Sequence, residues 1–280
     1  GATFPGLRML ELEHGSVIRG LLAQPLAGGG DPPFLTLRSG METLVTRLVA
    51  CLERTQLLVG HRAVALRRRG AGYQLELDGG DTVPADAVVL AVPAYATAEL
   101  VAELDGDLAG AHAEITHVSS AVVSLAYRTE AVGHPLDGYG YVVPRGEGAD
   151  VLACTWTSSK WEGRAPEGWV LVRVYAGRSG GRDVTAESDA DLVTLATEEL
   201  DLIGVGGKPS VIRIHRWPAG LPQYVLGHPE RVERIDAALA GFPALAVAGA
   251  AYRGVGIPDC IASGESAAES VARSLAPVAR

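Results

Sequence analysis

The chain has 280 residues, enough for one large domain or two modest ones, and its 48% hydrophobic and 20% charged residues exclude disorder as a description of the whole. Lys+Arg 24 against Asp+Glu 33 leaves a net charge of -9, which repels phosphate backbones and disfavours a general nucleic-acid binder. The three cysteines, Cys51, Cys154 and Cys260, are odd in number and widely spaced, so neither a disulfide framework nor a zinc ribbon fits and a reducing compartment is expected.

The opening Gly1-Ala2-Thr3-Phe4-Pro5-Gly6 has neither the basic region nor the apolar core of a signal peptide. Runs such as Ala87–Val92 and Ala121–Ala126 are far short of the ~20 residues needed to cross a bilayer. A cytoplasmic chain without a transmembrane segment is therefore expected. The glycines and prolines of Leu26–Pro33 predict an exposed loop. Ser39 with Glu42 fits a capping box, and Leu44, Val45, Leu48, Val49 and Leu52 follow at helical spacing, predicting a helix over about 40–54. Leu57–Leu66 and the alternating Tyr73–Leu77 predict a hairpin whose turn is Arg67–Gly72. Val83 opens a short strand, Ala87–Val92 reads as a strand buried on both faces, and Ala94–Leu104 as a short helix.

The middle is strand-rich. Val118–Tyr127, Tyr139–Val143, Val151–Trp156 and Trp169–Tyr175 predict an antiparallel sheet. Ser188 with Asp191 starts a helix that Gly204 ends. Val211–Trp217 is another strand, Pro229 suits the first turn of a helix through Leu239, and Leu245–Gly249 is a short buried strand running into glycine. After Pro258 a final helix presents Ile261, Ala268, Val271 and Leu275.

Several motifs fail. Gly204–Ser210 superficially matches a phosphate loop, but Leu202 stands where glycine is needed and the segment follows a helix rather than a strand. There is no Gly-x-Ser-x-Gly elbow, and the seven histidines show no metal-ligand spacing, so no metal is expected. Arg67-Arg68-Arg69 reads as a solvated turn.

One stretch carries chemistry. Val247–Ala268 reads as a buried strand, a glycine loop and a helix beginning near Pro258. The first N–H groups of a helix are unpaired and partially positive, which suits an electron-rich ligand edge, and Gly254 and Gly256 let a planar ring approach the backbone. On these grounds the ligand could be a phosphate, a carboxylate or a flavin pyrimidine, and a ligand-free structural turn is equally consistent.

The stretch Val247–Ala268 closely resembles the carboxy-terminal FAD motif of the protoporphyrinogen oxidase family, flavoenzymes of the amine-oxidase superfamily. Glu13–Gly20, Leu37–Met41, Tyr139–Pro144, Trp156–Trp161 and the run Arg216-Trp217, Leu221–Tyr224, Gly227-His228 resemble other segments of that family, in the same order. The family's opening Gly-x-Gly-x-x-Gly turn for the FAD diphosphate is not found, so the chain resembles roughly the carboxy-terminal part of such an enzyme; FAD affinity severely weakened or lost, and an inactive isolated fragment, are expected.

The resemblance implies an α+β fold. An incomplete FAD-binding, Rossmann-like domain would comprise residues 34–95 and 241–280. An antiparallel-sheet substrate-binding domain with flanking helices would comprise 1–33 and 96–240. It implies FAD as cofactor, with contacts from Ala63, Val64, Trp217, Gly249, Ala250, Gly254, Val255, Gly256 and Ile257, and with Tyr224 and His228 near the flavin. Tyr139, Gly140, Val142, Leu152 and Cys154 would line a cavity for a tetrapyrrole. The implied reaction is oxygen-using oxidation of protoporphyrinogen IX or coproporphyrinogen III to the porphyrin in heme biosynthesis; no catalytic base is identified. Another amine-oxidase-type flavoenzyme and a non-catalytic binding module remain alternatives. A homodimer is expected from apolar edges left uncovered, and peripheral membrane association is compatible with a longer parent protein.

Overall fold

Residues 63–77 form the expected antiparallel hairpin, with a turn shorter than the sequence suggests. The computed structural model describes residues 5–23, 35–148 and 150–275, and the expected Leu26–Pro33 loop lies outside them. In chain order the main elements are α1 (Pro5–His14), α2 (Val17–Ala23), α3 (Glu42–Ala50), β1 (Ala63–Arg69), β2 (Gly72–Leu77), β3 (Thr82–Ala85), β4 (Val88–Leu90), α4 (Ala94–Val101), α5 (Gly106–Ala113), β5 (His117–Arg128), β6 (Gly140–Val142), β7 (Val151–Trp156), α6 (Thr157–Lys160), β8 (Trp169–Ala176), α7 (Asp189–Asp201), β9 (Val211–Pro222), α8 (His228–Leu239), β10 (Leu245–Val247) and α9 (Ile257–Leu275). The protein is thus α+β. Among the described residues, no helix is long and apolar enough to cross a membrane.

These residues form two compact units. One holds 5–9, 56–117 and 222–275; the other holds 10–23, 35–55, 118–148 and 150–221. The expected boundaries at 95/96 and 240/241 are therefore displaced. Residues 96–117 and 222–240 join the first unit because α4 packs on β1 and α5, and α5 packs on α8. Residues 35–55 join the second, where the Arg164 guanidinium donates to Thr36 Oγ1 at 2.7 Å and to the Leu37 carbonyl at 2.8 Å.

In the first unit β1, β2 and β3 form an antiparallel sheet, while β4 and β10 pair in parallel, Leu245 opposite Val88 and Val247 opposite Leu90. Leu66, Tyr73, Leu100, Val101, Leu108, Val232 and Ile235 are packed in its core. The hairpin register runs to Arg69 opposite Gly72, so the arginines lie on the strand rather than in a turn. Arg67 pairs there with Glu76 and, at 2.7 Å, with Glu103. The expectation that Ala87–Val92 is covered on both faces is corrected: Val89 is 38% exposed and Val92 37% exposed. The final helix turns Ala267 and Val271 inward onto Ala246 and Ala248, not Ile261 and Leu275, which are exposed. Helix α5 was not anticipated; Asp105 caps it, accepting from the Leu108 N–H at 2.7 Å.

The second unit is built on a five-stranded sheet in the order β6-β7-β8-β5-β9. Period-2 alternation buries Ala121, Val123, Leu125 and Tyr127 of β5, together with Val172, Val174 and Ala176 of β8, against Leu192, Ala196 and Leu200 of α7. Ser188 caps α7 as expected, accepting from the Asp191 N–H at 3.1 Å while its hydroxyl donates to the Asp191 carboxylate at 2.7 Å. Gly204, at φ 78°, closes it, with the Val205 N–H on the Leu200 carbonyl at 3.0 Å. The other capping box is corrected. Ser39 sits in a turn closed by Gly40 N–H on Leu37 O, no side chain caps α3, and none of its residues is buried.

Candidate functional site

Strand β10 enters a turn spanning residues 248–256 before α9. The Ala248 N–H continues the strand ladder onto the Leu90 carbonyl at 3.0 Å, and the next N–H, of Gly249, is taken by Ser263 Oγ at 3.1 Å. Gly249 has φ 114°, where only glycine is at ease, and a Cβ placed on it would meet no atom within 4 Å. The turn then buries Ala251 and Tyr252 and leaves Val255 and Ile257 about half exposed.

Side chains from the segment before and within α8 fasten this turn. The Tyr224 hydroxyl donates to the Ala250 carbonyl at 2.7 Å and accepts the Gly254 N–H at 2.7 Å. His228 Nε2 lies 2.9 Å from the Tyr252 carbonyl, so that nitrogen carries the proton and donates. Burial raises the Tyr224 phenol and pushes that of Tyr252 up to about 12, keeping both as neutral hydroxyls at ordinary pH.

The helix entrance differs from expectation in one respect. The Gly256 N–H is already bonded to the Asp259 carboxylate at 3.1 Å, and a Cβ on Gly254 would come within 2.4 Å of Asp259. A side chain of the helix's own first turn thus takes one of the donors that the sequence suggested for a ligand. The N–H groups of Ile257 and Asp259 remain as first-turn donors; Pro258 has none. The space over Gly249 is open, and Val255 and Ile257 further along the same segment are exposed apolar residues. Ala63 is half-buried and Val64 42% exposed on β1 of the same unit.

The remaining expected residues lie in the second unit. Trp217, on β9 of the second unit, is 57% exposed. Tyr139 and Val142 are 66% and 54% exposed, Gly140 is exposed, and Leu152 is half-buried. Cys154 does not share their surface. It is 2% exposed in the core beneath α7, because a register shift between Val151 and Ala153 turns the strand. Burial, followed by the charge of Glu199, pushes its thiol up to about 12, which leaves it an inert core group. The neighbouring Tyr141 hydroxyl donates to Glu199 at 2.9 Å. Among the described residues no cluster of metal-ligating side chains occurs.

A parallel strand pair feeding a glycine turn and a helix N-terminus is suited to binding an anionic or electron-rich ligand edge. Over residues 1–272 the chain matches the family of flavin containing amine oxidoreductases, and it belongs to that family. It is 35% identical over 276 residues to coproporphyrinogen III oxidase of Bacillus subtilis (strain 168), covering 95% of this chain and 58% of the relative. It is 36% identical over 247 residues to coproporphyrinogen III oxidase of Propionibacterium freudenreichii subsp. freudenreichii, covering 87% and 46%. A crystal structure from Exiguobacterium sp. 255-15, assigned as a protoporphyrinogen oxidase, superposes with a TM-score of 0.81 at 32% identity, covering 96% of this chain and 58% of that one. The chain thus spans about half the length of the relatives it matches.

Proposed function

We propose that this chain supplies the carboxy-terminal flavin-facing turn and the substrate sheet of an FAD-dependent oxidase that converts a porphyrinogen, coproporphyrinogen III or protoporphyrinogen IX, to its porphyrin in heme biosynthesis. The observation that carries the reading is the open space over Gly249 in a turn whose Ala250, Tyr252 and Gly254 peptide groups are held by the Tyr224 and His228 side chains. In this reading the first unit is part of the FAD-binding domain and the second the substrate-binding domain. FAD, when bound, supplies a two-electron acceptor that oxygen reoxidises. The protein's part is positional. Gly249 and Ala250 admit the ring, Val255 and Ile257 cover it with apolar surface, and the first-turn N–H groups of α9 polarise its edge. Exposed Tyr139 and Val142, with Gly140 and Leu152, offer a largely apolar wall for a flat macrocycle, and Trp217 adds an aromatic face.

Titration of the chain with FAD, followed by the flavin visible spectrum and by retention through desalting, tests the reading. A saturable spectral change is expected; a spectrum identical to free FAD at every ratio contradicts it.

A homodimer belongs to the same proposal. Val45, Leu48 and Val49 of α3 are 60%, 57% and 45% exposed, and Val89 and Val92 add apolar surface in the other unit. The mass from light scattering is expected to rise from monomer to dimer over the micromolar range; a monomer mass at all concentrations refutes self-association.

A further inference from the structure

We propose that Tyr224 and His228 are positioning residues, a two-ring clamp that sets the shape of the 249–254 turn and thereby its hold on the flavin; this rests on the flavin-facing reading of the turn given above. Beyond its own local turn at Ala250–Tyr252, the segment from Gly249 to Val255 makes no backbone–backbone hydrogen bond with another described element. Its conformation is not templated by a ladder, and Gly249 at φ 114° gives it a residue with few steric restraints. What fixes it is side-chain bonding at alternate residues. Tyr224 holds Ala250 and Gly254, and His228 holds Tyr252, the three bonds measuring 2.7, 2.7 and 2.9 Å.

The two rings reinforce each other. They stand four residues apart, across the entry to α8, and stack with centroids 3.9 Å apart and planes 12° from parallel. Gly227, at φ 82°, makes the bend that brings them together. The Tyr224 hydroxyl is used as donor and acceptor at once, so it reads the spacing of two peptide groups four residues apart and tolerates no other geometry. His228 is buried, 5% exposed, with Nδ1 lacking any partner. A buried nitrogen left unbonded is costly, so this ring is retained for the position of its other nitrogen. On the far side the Tyr252 ring is held edge-on by His112 at 5.9 Å, so the turn is gripped between α5 and the clamp. Neither ring needs to touch the flavin for this; each acts through the backbone it holds.

Tyr224→Phe keeps the stacked ring and removes both bonds to the turn. Amide exchange at Gly254 is expected to accelerate about tenfold, while the strands of the five-stranded sheet exchange as before. FAD titration of the same variant is expected to show a loss of affinity of similar size with a displaced visible maximum. His228→Gln, whose amide can still donate to the Tyr252 carbonyl, is expected to retain most of the affinity, which a general loss of packing would not do. Unchanged exchange at Gly254 overturns the clamp. Faster exchange with unaltered FAD titration, or with no FAD binding by the parent chain, leaves the turn clamped but removes its flavin role, and so overturns the proposal through the reading on which it rests.

Discussion

Alanine at position 140 is expected to lower the melting temperature by roughly 10 °C, at 2–4 °C for each kcal/mol in a chain of this size. Gly140 begins the edge strand of the five-stranded sheet, opposite Thr155, at φ 129°. A Cβ there would lie 2.0 Å from the Cys154 carbonyl oxygen and 2.8 Å from Thr155 Cα. Both obstacles are backbone of a strand paired on its other side, so neither can withdraw as a side-chain tip would. Holding a non-glycine residue at such a φ costs about 1–3 kcal/mol. The alternative is to lift the edge strand, which gives up the pairs at 140, 141 and 142 and the Tyr141–Glu199 bond. Because the 2.0 Å overlap with the Cys154 carbonyl remains if the strand stays put, lifting it sets the loss, roughly 3–5 kcal/mol at about 1 kcal/mol for each hydrogen bond. Tyr139 and Val142 move with the strand, so if the proposed substrate wall is right, porphyrin binding weakens alongside stability. A melting temperature within two or three degrees of the parent would mean that the edge strand yields without cost and that Gly140 is not a constraint.

What could be seen in the sequence was whatever chemistry is local. Ser188 and Asp191 are three residues apart and form the cap they suggest. Ser39 and Glu42 have the same spacing and do not, because Gly40 closes a turn onto Leu37 first and the helix starts at Glu42 itself. The glycine turn was legible because strand, glycines, proline and helix are contiguous. Its fastening was not: Tyr224 lies 26 residues from Ala250 and 30 from Gly254, and no periodicity announces a bond across that distance. The Asp259 carboxylate on Gly256 did have a signal, an acidic residue three positions after the loop glycine, the spacing at which a capping box's third helical residue reaches back to the cap N–H. Cys154 was misplaced because a single extra residue in β7 inverts which side chains face the core, and bulges leave no mark in a run of small apolar residues.

Acidification is expected to destabilise the first unit more steeply than carboxylate titration alone, with His112 as the cause. The side chain is 0% exposed on α5, its Nδ1 is 2.8 Å from the Leu108 carbonyl, and its Nε2 has no partner. A carbonyl accepts only, so Nδ1 carries the proton and the buried ring is neutral. Burial holds its pKa below the ordinary 6.5, and the Leu108 carbonyl only partly offsets that. His117 is shifted the same way, also by burial. In the unfolded chain these rings bind a proton as the pH falls through about 6.5. In the folded chain they do not until a lower pH, so between the two values the unfolded state holds more protons. Stability therefore rises with pH across that window, is fully present above about 6.5, and is lost as the pH falls toward the folded-state value. The slope for one such histidine approaches about 1.4 kcal/mol per pH unit. Urea midpoints of the parent and of His112→Gln, measured from pH 7.5 down to 5, separate this from the carboxylates. The variant is less stable at pH 7.5 but its midpoint falls less on acidification, so the two curves approach one another. Parallel curves would show that His112 is protonated in the folded protein without cost, and that the space around Nε2 admits a solvating partner.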